Sequence, residues 1–454
     1  MKNPNIPPLI ARAQKQGSIL GLDTVKLLLS ALDNPQDNLP VIHIAGTNGK
    51  GSIASFLQGM LLENNYQVGL FTSPYFKDPR EMFQHNGSLI SQKDFENTLD
   101  IVARGVEKIM EKGGPHPTEF EIYVALAFYY FAHSSIDFFI LEVGLGGRED
   151  ATNVVNTPLL SIITQVGRDH TQFLGNTLEE IAHHKGGIIK KGCPVVVYPQ
   201  KKEVHTVLKA ISADFNSPYY TFDPNQVVVH NSSLQGQCFS VDFSSPEDPS
   251  SIQSLKTLGS SLHNSFSQVS LSLLGKHQVY NAATALLALS VLGARTSLPL
   301  SSEKISKGLL KTRWPGRLET LNHSPLILID GAHNVPAVQC LRETIETHCS
   351  HYSITLLLGI LEDKDVDGFL SEIMPLVDRV VLTKPLNPRA LDPIILKEKI
   401  RGYPLDILVE PSIPKACLKA LSATEPKDMI LALGSLYMIG EAREFFINHV
   451  HKEK

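Results

Sequence analysis

The sequence predicts an α/β protein of two domains, each built on a mostly parallel central sheet. Near-continuous apolar, β-prone segments alternate with segments whose apolar residues recur at helical spacing, and this alternation occurs in two cycles along the 454 residues. A stretch rich in Ser, Asn, Gln and Asp separates the cycles. We therefore expect a first domain over 1–311 with a small β-rich subregion at 200–275, a hinge at 312–319, and a C-terminal doubly wound domain over 320–454.

The first cycle places its strands one after another along the chain. PVIHIA (40–45) is apolar and β-prone, SIASFLQGMLLENN has helical spacing, and QVGLFTSP is a second strand. IDFFILEVG, LLSIITQVG and CPVVVYP read as further buried strands, which suit a parallel sheet covered on both faces. Alternation in QVVVHNSS and QCFSVDF predicts the β-rich subregion, and residues 244–261 predict a mobile surface loop.

The second cycle begins near Pro325 and follows the same pattern. PLILIDGAHN predicts a strand and a loop, VPAVQCLRETIETH a helix, and SITLLLGIL and DRVVLTKPL two more strands. DMILALGS then leads into the helical segment LYMIGEAREFF. The connector KTRWPGRLE (311–319) holds the only Trp and a Pro-Gly pair, which favours a hinge.

Composition excludes several classes of protein. The 43% hydrophobic and 19% charged residues are ordinary for a globular chain, and the net charge of -5 argues against a duplex nucleic-acid partner. The five cysteines form no C-x-x-C pair or zinc spacing. The N-terminus lacks the apolar core of a signal peptide, and no apolar run approaches the ~18 residues of a membrane helix. We expect a soluble, cytoplasmic protein without a membrane partner.

A glycine-rich loop in VIHIAGTNGKGSIASFL (41–57) follows the first strand and opens a helix, as phosphate-binding loops do. It does not match the common G-x-x-x-x-G-K-[ST] pattern. Gly51 stands between Lys50 and the hydroxyl of Ser52, and Ile44 stands where the first glycine belongs. The loop alone is compatible with a phosphate site or with a tight turn that happens to carry a lysine.

Further polar residues stand at strand ends, where α/β sheets bind ligands, or on predicted helices, as Lys185 and Asn281 do. Each has a structural alternative: a helix-capping carboxylate for Glu142, a hydrogen-bonded loop histidine for His170, a solvated helix lysine for Lys185, and an N-cap for Asn281. Asp330 and His333 follow the first strand of the second cycle. No one of these residues decides the function by itself.

Taken together, the motifs resemble those of the Mur ligase superfamily, and within it the folylpolyglutamate synthase/dihydrofolate synthase family. The motifs are GTNGKGS, TSP, LEVGLGGR-x-DATN, DHT-x-x-LG, K-x-GI, HQ-x-x-NAA, WPGRLE and DGAHN, in that order, and the resemblance runs from about residue 17 to about residue 440. It implies a P-loop-containing ATPase domain followed by a Rossmann-like ligase domain. It also implies a ligase that forms an acyl phosphate from ATP and a substrate carboxylate, which the amino group of L-glutamate then attacks.

The resemblance assigns roles residue by residue. Lys50, His170 and Lys185 would be catalytic, and Lys185 would be carbamylated. ATP contacts would come from Gly49, Lys50, Gly51, Ser52, Asn281, Arg317 and Asp330, and ligands to two Mg²⁺ ions from Ser52, Ser73, Glu142, His170 and Lys185. The acceptor, dihydropteroate or a folate, would contact Ser18, Ile19, Leu20, Thr118, Glu119, Phe120, Glu121, Glu149, Asp150 and Ala151. His333 would assist Asp330, and the chain would be a monomer.

Three positions depart from the family's pattern. Thr24 stands in GLDTV where GLERV is usual, Tyr75 replaces the His of TSPH, and Met82 replaces the Arg of ERI. These departures leave open whether the acceptor is dihydropteroate, a folate or both. A UDP-sugar Mur ligase is disfavoured because only 45 residues precede the loop, too few for a UDP-binding domain. A Mur-type ligase with a different carboxylate acceptor is the remaining alternative, since a switch protein or a purely structural α/β protein would not need this set of residues.

Overall fold

The computed structural model describes residues 8–14, 17, 19–244, 264–296 and 298–450. Ser18 and residues 245–261 of the predicted mobile loop lie outside the described residues. Within the described ranges, no helix has the length and apolar character needed to cross a membrane. The elements form two α/β domains and a small antiparallel sheet.

The first domain is organised around an eight-stranded sheet of order β4-β3-β2-β5-β1-β6-β7-β8. Its strands are Val41–Ala45 (β1), Val68–Phe71 (β2), Phe83–His85 (β3), Ser88–Leu89 (β4), Phe138–Glu142 (β5), Leu160–Ile163 (β6), Val195–Val197 (β7) and Tyr219–Tyr220 (β8). Strands β2, β5, β1, β6, β7 and β8 are parallel, and the β3–β4 hairpin adds antiparallel strands at one edge. Since β1 lies between β5 and β6, the loops that follow these three strands are neighbours.

Helices cover both faces of this sheet, as the apolar strands require. They are Pro8–Ala13 (α1), Asp23–Ser30 (α2), Lys50–Glu63 (α3), Gln92–Glu111 (α4), Glu119–Ala132 (α5), Thr171–Leu174 (α6), Leu178–Gly186 (α7), Lys202–Asp214 (α8), Lys276–Thr296 (α9) and Ser302–Lys311 (α10). Helices α3, α9 and α10 share one buried core with β1, while α2, α4 and α5 pack on the opposite face. Helix α3 is buried nearly all round because it lies between the sheet and these two later helices.

The small sheet is antiparallel and has the order β11-β10-β9. Its strands are Val227–Ser233 (β9), Gly236–Asp242 (β10) and Ser265–Leu271 (β11). It lies within the span 200–275 for which the sequence predicts a β-rich subregion, but α8 occupies the start of that span. Phe239, Val241 and Phe266 of this sheet join the core beneath α3 and α9.

The second domain has a six-stranded sheet of order β12-β13-β17-β14-β15-β16, parallel except for the edge strand β12. The strands are Glu319–His323 (β12), Leu326–Ile329 (β13), Ile354–Leu358 (β14), Arg379–Leu382 (β15), Asp406–Val409 (β16) and Met429–Leu433 (β17). The helices are Val335–His348 (α11), Val366–Ile373 (α12), Pro393–Ile400 (α13), Ile413–Ala423 (α14) and Leu436–Val450 (α15). Separate apolar cores on the two faces make this domain doubly wound. The hinge at 312–319 stays a prediction.

Candidate active site

The glycine-rich loop joins β1 to α3 and is fixed to the end of β6. Thr47 Oγ1 donates to the carbonyl of Gly167 at 2.9 Å, and Thr164 Oγ1 donates to the carbonyl of Asn48 at 2.7 Å. Gly46 has a φ of 153°, and a Cβ there would lie 1.7 Å from Thr164 Oγ1, so only glycine fits. Helix α3 starts without a side-chain hydrogen bond at its N-cap, Gly49. The free N–H groups of its first turn are therefore available to an anion.

Gly49 and Gly51 are needed because other side chains press against the loop. A Cβ at Gly49 would lie 2.6 Å from Asn281 Oδ1, and a Cβ at Gly51 would lie 2.8 Å from the ring of Trp314. Asn281 is buried inside α9, five residues after its start, so the N-cap alternative is wrong. The extra glycine between Lys50 and Ser52 thus makes room for the connector's tryptophan.

Lys50 and Glu142 form the charged centre of the cleft. Lys50 Nζ lies 3.2 Å from the carbonyl oxygen of Gly46 and 3.8 Å from Glu142 Oε1. Glu142 ends β5 and is 4% exposed, and burial raises the pKa of its carboxyl to about 7, although the charges of Lys50 and Arg317 oppose this rise. A buried carboxyl that ionises only with difficulty favours an additional cation beside it.

Lys185 reaches the same cleft from α7, which docks on the glycines of LEVGLGGR. A Cβ at Gly147 would lie 2.7 Å from the carbonyl oxygen of His184, and Arg148 N–H donates to that oxygen at 2.8 Å. Lys185 is 3% exposed, so it is not a solvated helix lysine. Burial and then the charge of Lys50 lower the pKa of its amine to about 7. Within the described residues, no hydrogen bond or ion pair engages Lys185 Nζ.

The second domain supplies the opposite wall of the cleft through Arg317, Asp330 and His333. Asp330 is 8% exposed, and its carboxylate accepts N–H groups from Leu318 at 2.8 Å and Ala332 at 2.7 Å. It therefore fixes the connector beside Arg317 to the loop after β13. Burial raises the pKa of Asp330, and the positive charge of Arg317 opposes this effect. His333 Nδ1 lies 2.7 Å from the carbonyl oxygen of Gly331.

Asp169 lies where the two domains meet, and the sequence analysis assigned it no role. Its Oδ1 accepts a hydrogen bond from Lys364 Nζ at 2.8 Å, and its Oδ2 accepts one from Asn334 Nδ2 at 2.9 Å. Burial opposes ionisation of Asp169, but His333 and Lys364 outweigh it and hold its pKa below the usual range. Lys364 lies six residues after the end of β14, and nothing in its local sequence indicates this contact. Partial burial lowers the pKa of His170, next to Asp169, to about 4.

The structure brings all the residues assigned to ATP, metal or catalysis into one cleft. They are Gly49, Lys50, Gly51, Ser52, Ser73, Glu142, His170, Lys185, Asn281, Arg317 and Asp330. Their individual roles stay predictions.

The donors in this cleft fit a phosphate-bound Mg²⁺ ion. Mg²⁺ is usually held by one or two carboxylates together with waters and substrate phosphates. Glu142 provides one buried carboxylate without a hydrogen-bonded cation, and Ser52 and Ser73 provide neighbouring hydroxyls. Among the described residues, no group of three or more His, Cys, Asp and Glu side chains could hold a metal. His170 and an unmodified Lys185 are poor partners for a second Mg²⁺.

The described residues assigned to the acceptor do not line this cleft. Several use their polar groups locally. Thr118 and Glu121 form the capping box of α5, and Asp150 accepts N–H groups from Leu145 at 2.8 Å and Thr152 at 3.0 Å. Glu149 lies 2.9 Å from His184 Nδ1.

The other residues assigned to the acceptor differ in their exposure to solvent and in their contacts with the protein. Ile19 is 58% exposed, Leu20 is half-buried and Ala151 is buried. The Phe120 ring lies against Gly144, two residues after Glu142, and a Cβ at Gly144 would lie 2.4 Å from it. Phe120 and Asp150, which binds Leu145 N–H, are therefore acceptor-assigned side chains in contact with the glycine segment that borders the cleft.

The three departures from the family's pattern differ in their surroundings. Tyr75 O–H donates to Glu119 Oε1 at 3.4 Å, and its ring packs edge-on against Tyr123. Met82 is 3% exposed and belongs to the apolar core of the first domain, so it replaces a charged residue with a packed one. Thr24 lies half-buried on α2.

Comparison with known proteins follows the same division of the chain. Residues 44–289 match the Mur ligase middle domain, and residues 316–436 match the Mur ligase glutamate ligase domain. The chain is 34% identical over 427 residues to the dihydrofolate synthase/folylpolyglutamate synthase of Bacillus subtilis, covering 93% of this chain and 94% of the relative. It is 33% identical over 422 residues to the folylpolyglutamate synthase of Lacticaseibacillus casei, covering 92% of each.

A solved structure extends the similarity to three dimensions. The folylpolyglutamate synthase of Mycobacterium tuberculosis complexed with ADP and AMPPCP matches with a TM-score of 0.83 at 30% identity, covering 96% of this chain and 99% of that chain. The two matching domains and the relatives over nearly the full length agree with the motifs and with the fold. The chain therefore belongs to the Mur ligase superfamily and, within it, to the dihydrofolate synthase/folylpolyglutamate synthase family.

Proposed function

We propose that this chain is an ATP-dependent ligase that joins L-glutamate to the carboxylate of 7,8-dihydropteroate, to the γ-carboxylate of reduced folates, or to both. The observation that carries the proposal is the cleft itself. A phosphate loop with Lys50 and Glu142 forms one wall, and Arg317, Asp330 and His333 of the second domain form the other. Such a cleft can hold a nucleotide between two domains and exclude water when they close.

In the first step the γ-phosphoryl group of ATP passes to the acceptor carboxylate and gives an acyl phosphate and ADP. The free N–H groups at the start of α3 bind the phosphates, and Lys50 places its charge between them. Arg317 adds a second positive charge from the connector. These groups offset the repulsion between the anionic acceptor and the γ-phosphate.

In the second step the amino nitrogen of L-glutamate attacks the acyl carbon. The C–N bond forms, the C–O bond to phosphate breaks, and the amine loses a proton as inorganic phosphate leaves. The oxyanion of the tetrahedral state needs positive groups close by, and Lys50 and Arg317 line the cleft where the acyl phosphate forms. Closure around Asp330 excludes water, which would otherwise hydrolyse the acyl phosphate.

Ser52, Ser73 and Glu142 are the residues that would hold Mg²⁺, which when bound neutralises phosphate charge. A second ion would depend on carbamylation of Lys185, together with His170. The amine of Lys185 is suited to react with CO₂, because burial lowers its pKa to about 7 and leaves a nucleophilic neutral fraction at neutral pH. The product would carry a negative charge in a cleft that already contains Lys50.

One observation favours the alternative of a Mur-type ligase with a different carboxylate acceptor. The described residues that the family resemblance assigns to the acceptor lie outside the lining of the cleft, and Tyr75 and Met82 depart from the family's pattern nearby. A monomeric state, a cytoplasmic location and the absence of a nucleic-acid partner stay predictions.

Acceptor-dependent turnover tests the proposal directly. Purified protein is incubated with Mg-ATP, L-glutamate and either 7,8-dihydropteroate or tetrahydrofolate, and ADP, phosphate and the mass of the product are measured. We expect ADP release that requires both glutamate and at least one of the two acceptors, with a product heavier by one glutamyl residue. If neither acceptor supports ADP release although the protein still binds ADP, this result would support the alternative acceptor.

A further inference from the structure

We infer that Lys364 is a positioning residue whose ion pair with Asp169 couples closure of the two domains to the placement of His170 and the phosphate loop. Lys364 belongs to the loop after β14 in the second domain, and Asp169 to the loop after β6 in the first. The inference adds a residue to the proposed function and rests on that function only for its kinetic readout.

The first observation is the burial of this pair between the domains. Lys364 Nζ lies 2.8 Å from Asp169 Oδ1, and the two side chains are 8% and 9% exposed. An ion pair removed from water is costly to form but also costly to break, because Lys364 would stay buried without its partner and Asp169 would be left with His333, whose Nε2 lies 3.7 Å from its Oδ2. The pair therefore favours one arrangement of the two loops over others.

The second observation is that the same carboxylate holds the backbone of His170. Asp169 Oδ1 also accepts the N–H of His170 at 2.8 Å, and His170 has a φ of 51°, in the left-handed region. A residue with a Cβ adopts this conformation only at an energetic cost, so it needs support from its surroundings. Lys364 fixes the oxygen that provides this support.

The third observation connects Asp169 to the phosphate loop. Asp169 Oδ2 accepts a hydrogen bond from Asn334 Nδ2, and Asn334 forms a reciprocal pair of side-chain hydrogen bonds with Asn48, at 3.1 and 3.2 Å. Asn334 is the N-cap of α11 in the second domain, and Asn48 lies in the glycine-rich loop of the first. One carboxylate thus joins two loops of the second domain to His170 and to the phosphate loop.

The structure also offers a matched control for this pair. Lys77 Nζ and Glu444 Oε2 form an ion pair of the same length, 2.8 Å, between the same two domains, but their side chains are 72% and 49% exposed. Exposed pairs contribute little because water screens them. Lys77→Met therefore removes an interdomain pair of equal length without leaving a buried charge.

The experiment compares the wild type with Lys364→Met, Lys364→Arg, the double variant Asp169→Asn/Lys364→Met, and Lys77→Met. For each, we measure the radius of gyration by X-ray scattering with and without Mg-AMPPCP, the Kd for ADP, the melting temperature, and kcat and KM. We expect Lys364→Met to lower kcat at least about tenfold and to weaken the compaction that AMPPCP causes, while the Kd for ADP changes less than about threefold. Lys364→Arg restores most of kcat, and Lys77→Met resembles the wild type.

If Lys364→Met does not fold, the double variant tests the inference instead, because the double variant leaves no buried charge unpaired. It should fold, yet keep the reduced compaction and the low kcat. A kcat and compaction within about twofold of the wild type in either variant would overturn the inference, as would an equal loss in Lys77→Met. Compaction and ADP binding do not depend on the acceptor, so a wild type that compacts with AMPPCP but makes no product would refute the proposed function and leave this inference standing.

Discussion

Glu142→Gln should make the unliganded protein more stable at neutral pH while reducing its response to Mg-ADP. Glu142 is 4% exposed, and its nearest cation, Lys50 Nζ, is 3.8 Å away, beyond hydrogen-bond distance. Burial raises the pKa of its carboxyl from 4.5 to about 7. A neutral glutamine of the same shape avoids the cost of keeping an anion in this environment.

The magnitude follows from the change in pKa. A rise from 4.5 to about 7 corresponds to roughly 3 kcal/mol, at about 1.4 kcal/mol for each tenfold change in proton affinity. Because the folded state binds this proton more tightly, the contribution to stability is fully present below pH 4.5 and is lost as the pH rises through 7. The two proteins should therefore be equally stable near pH 4, and the variant more stable by about 3 kcal/mol near pH 8.

Urea unfolding of both proteins between pH 4 and pH 8 measures this difference. Glu425→Gln is the control, since it removes the same charge from a side chain that is 68% exposed. Addition of Mg-ADP should stabilise the wild type more than Glu142→Gln, because the carboxylate is a ligand for Mg²⁺ in the proposed site. A difference between the two proteins that does not change with pH, or equal stabilisation by Mg-ADP, would refute the reasoning.

Three further substitutions test other parts of the site. Gly51→Ala should raise KM for ATP and shift the fluorescence of Trp314, the only tryptophan, because its Cβ would lie 2.8 Å from the indole ring; an unchanged spectrum would contradict the contact. Lys185→Ala should abolish turnover and recover part of it with short carboxylic acids, and intact mass should show a CO₂ adduct on the wild type but not on the variant. Thr152→Val should cost about 1–3 kcal/mol in urea unfolding, because it removes the hydroxyl that bonds to the buried Asp150; a loss below about 0.5 kcal/mol would contradict this role.

The parallel strands could be predicted because each is specified by a run of apolar residues that are adjacent in the sequence. β1, β5 and β17 are short, largely apolar runs, each followed by a glycine within two residues, and each lies in the interior of a sheet with all its residues buried. The hairpin β3–β4 and the edge strand β12 were not predicted. Apart from the buried Phe83, their residues are at least partly exposed, so FQH, SL and ETLNH carry no strong apolar signal and depend on pairing with a neighbouring strand.

The cleft residues that end or follow strands of the first domain could be placed from sequence because strand ends converge on one edge, whereas Lys185 and Asn281, inside helices, were assigned to the site only by the resemblance. The contacts across the domains could not, because they join positions far apart in the chain. Nothing local indicates that Lys364 meets Asp169, 195 residues earlier, or that Trp314 covers Gly51. The acceptor-assigned residues show that a resemblance can name a residue without establishing its role. The resemblance assigns Thr118 and Asp150 to the acceptor, but in the structure their side chains cap local turns.

The connector ties Arg317 to the second domain, which in the proposed function links nucleotide binding to domain closure. Asp330 accepts N–H groups from Leu318 and Ala332, so the backbone next to Arg317 is tied to the second sheet. A Cβ at Gly331 would lie 2.4 Å from Arg317 Nη1, which shows how closely that side chain is held against the same loop. Arg317 is therefore fixed to the second domain, while its positive charge favours ionisation of Glu142 in the first. In the proposed function, this charge would reach the phosphates when the two domains approach each other. The phosphoryl-transfer site would then be completed as water is excluded, which would protect the acyl phosphate from hydrolysis.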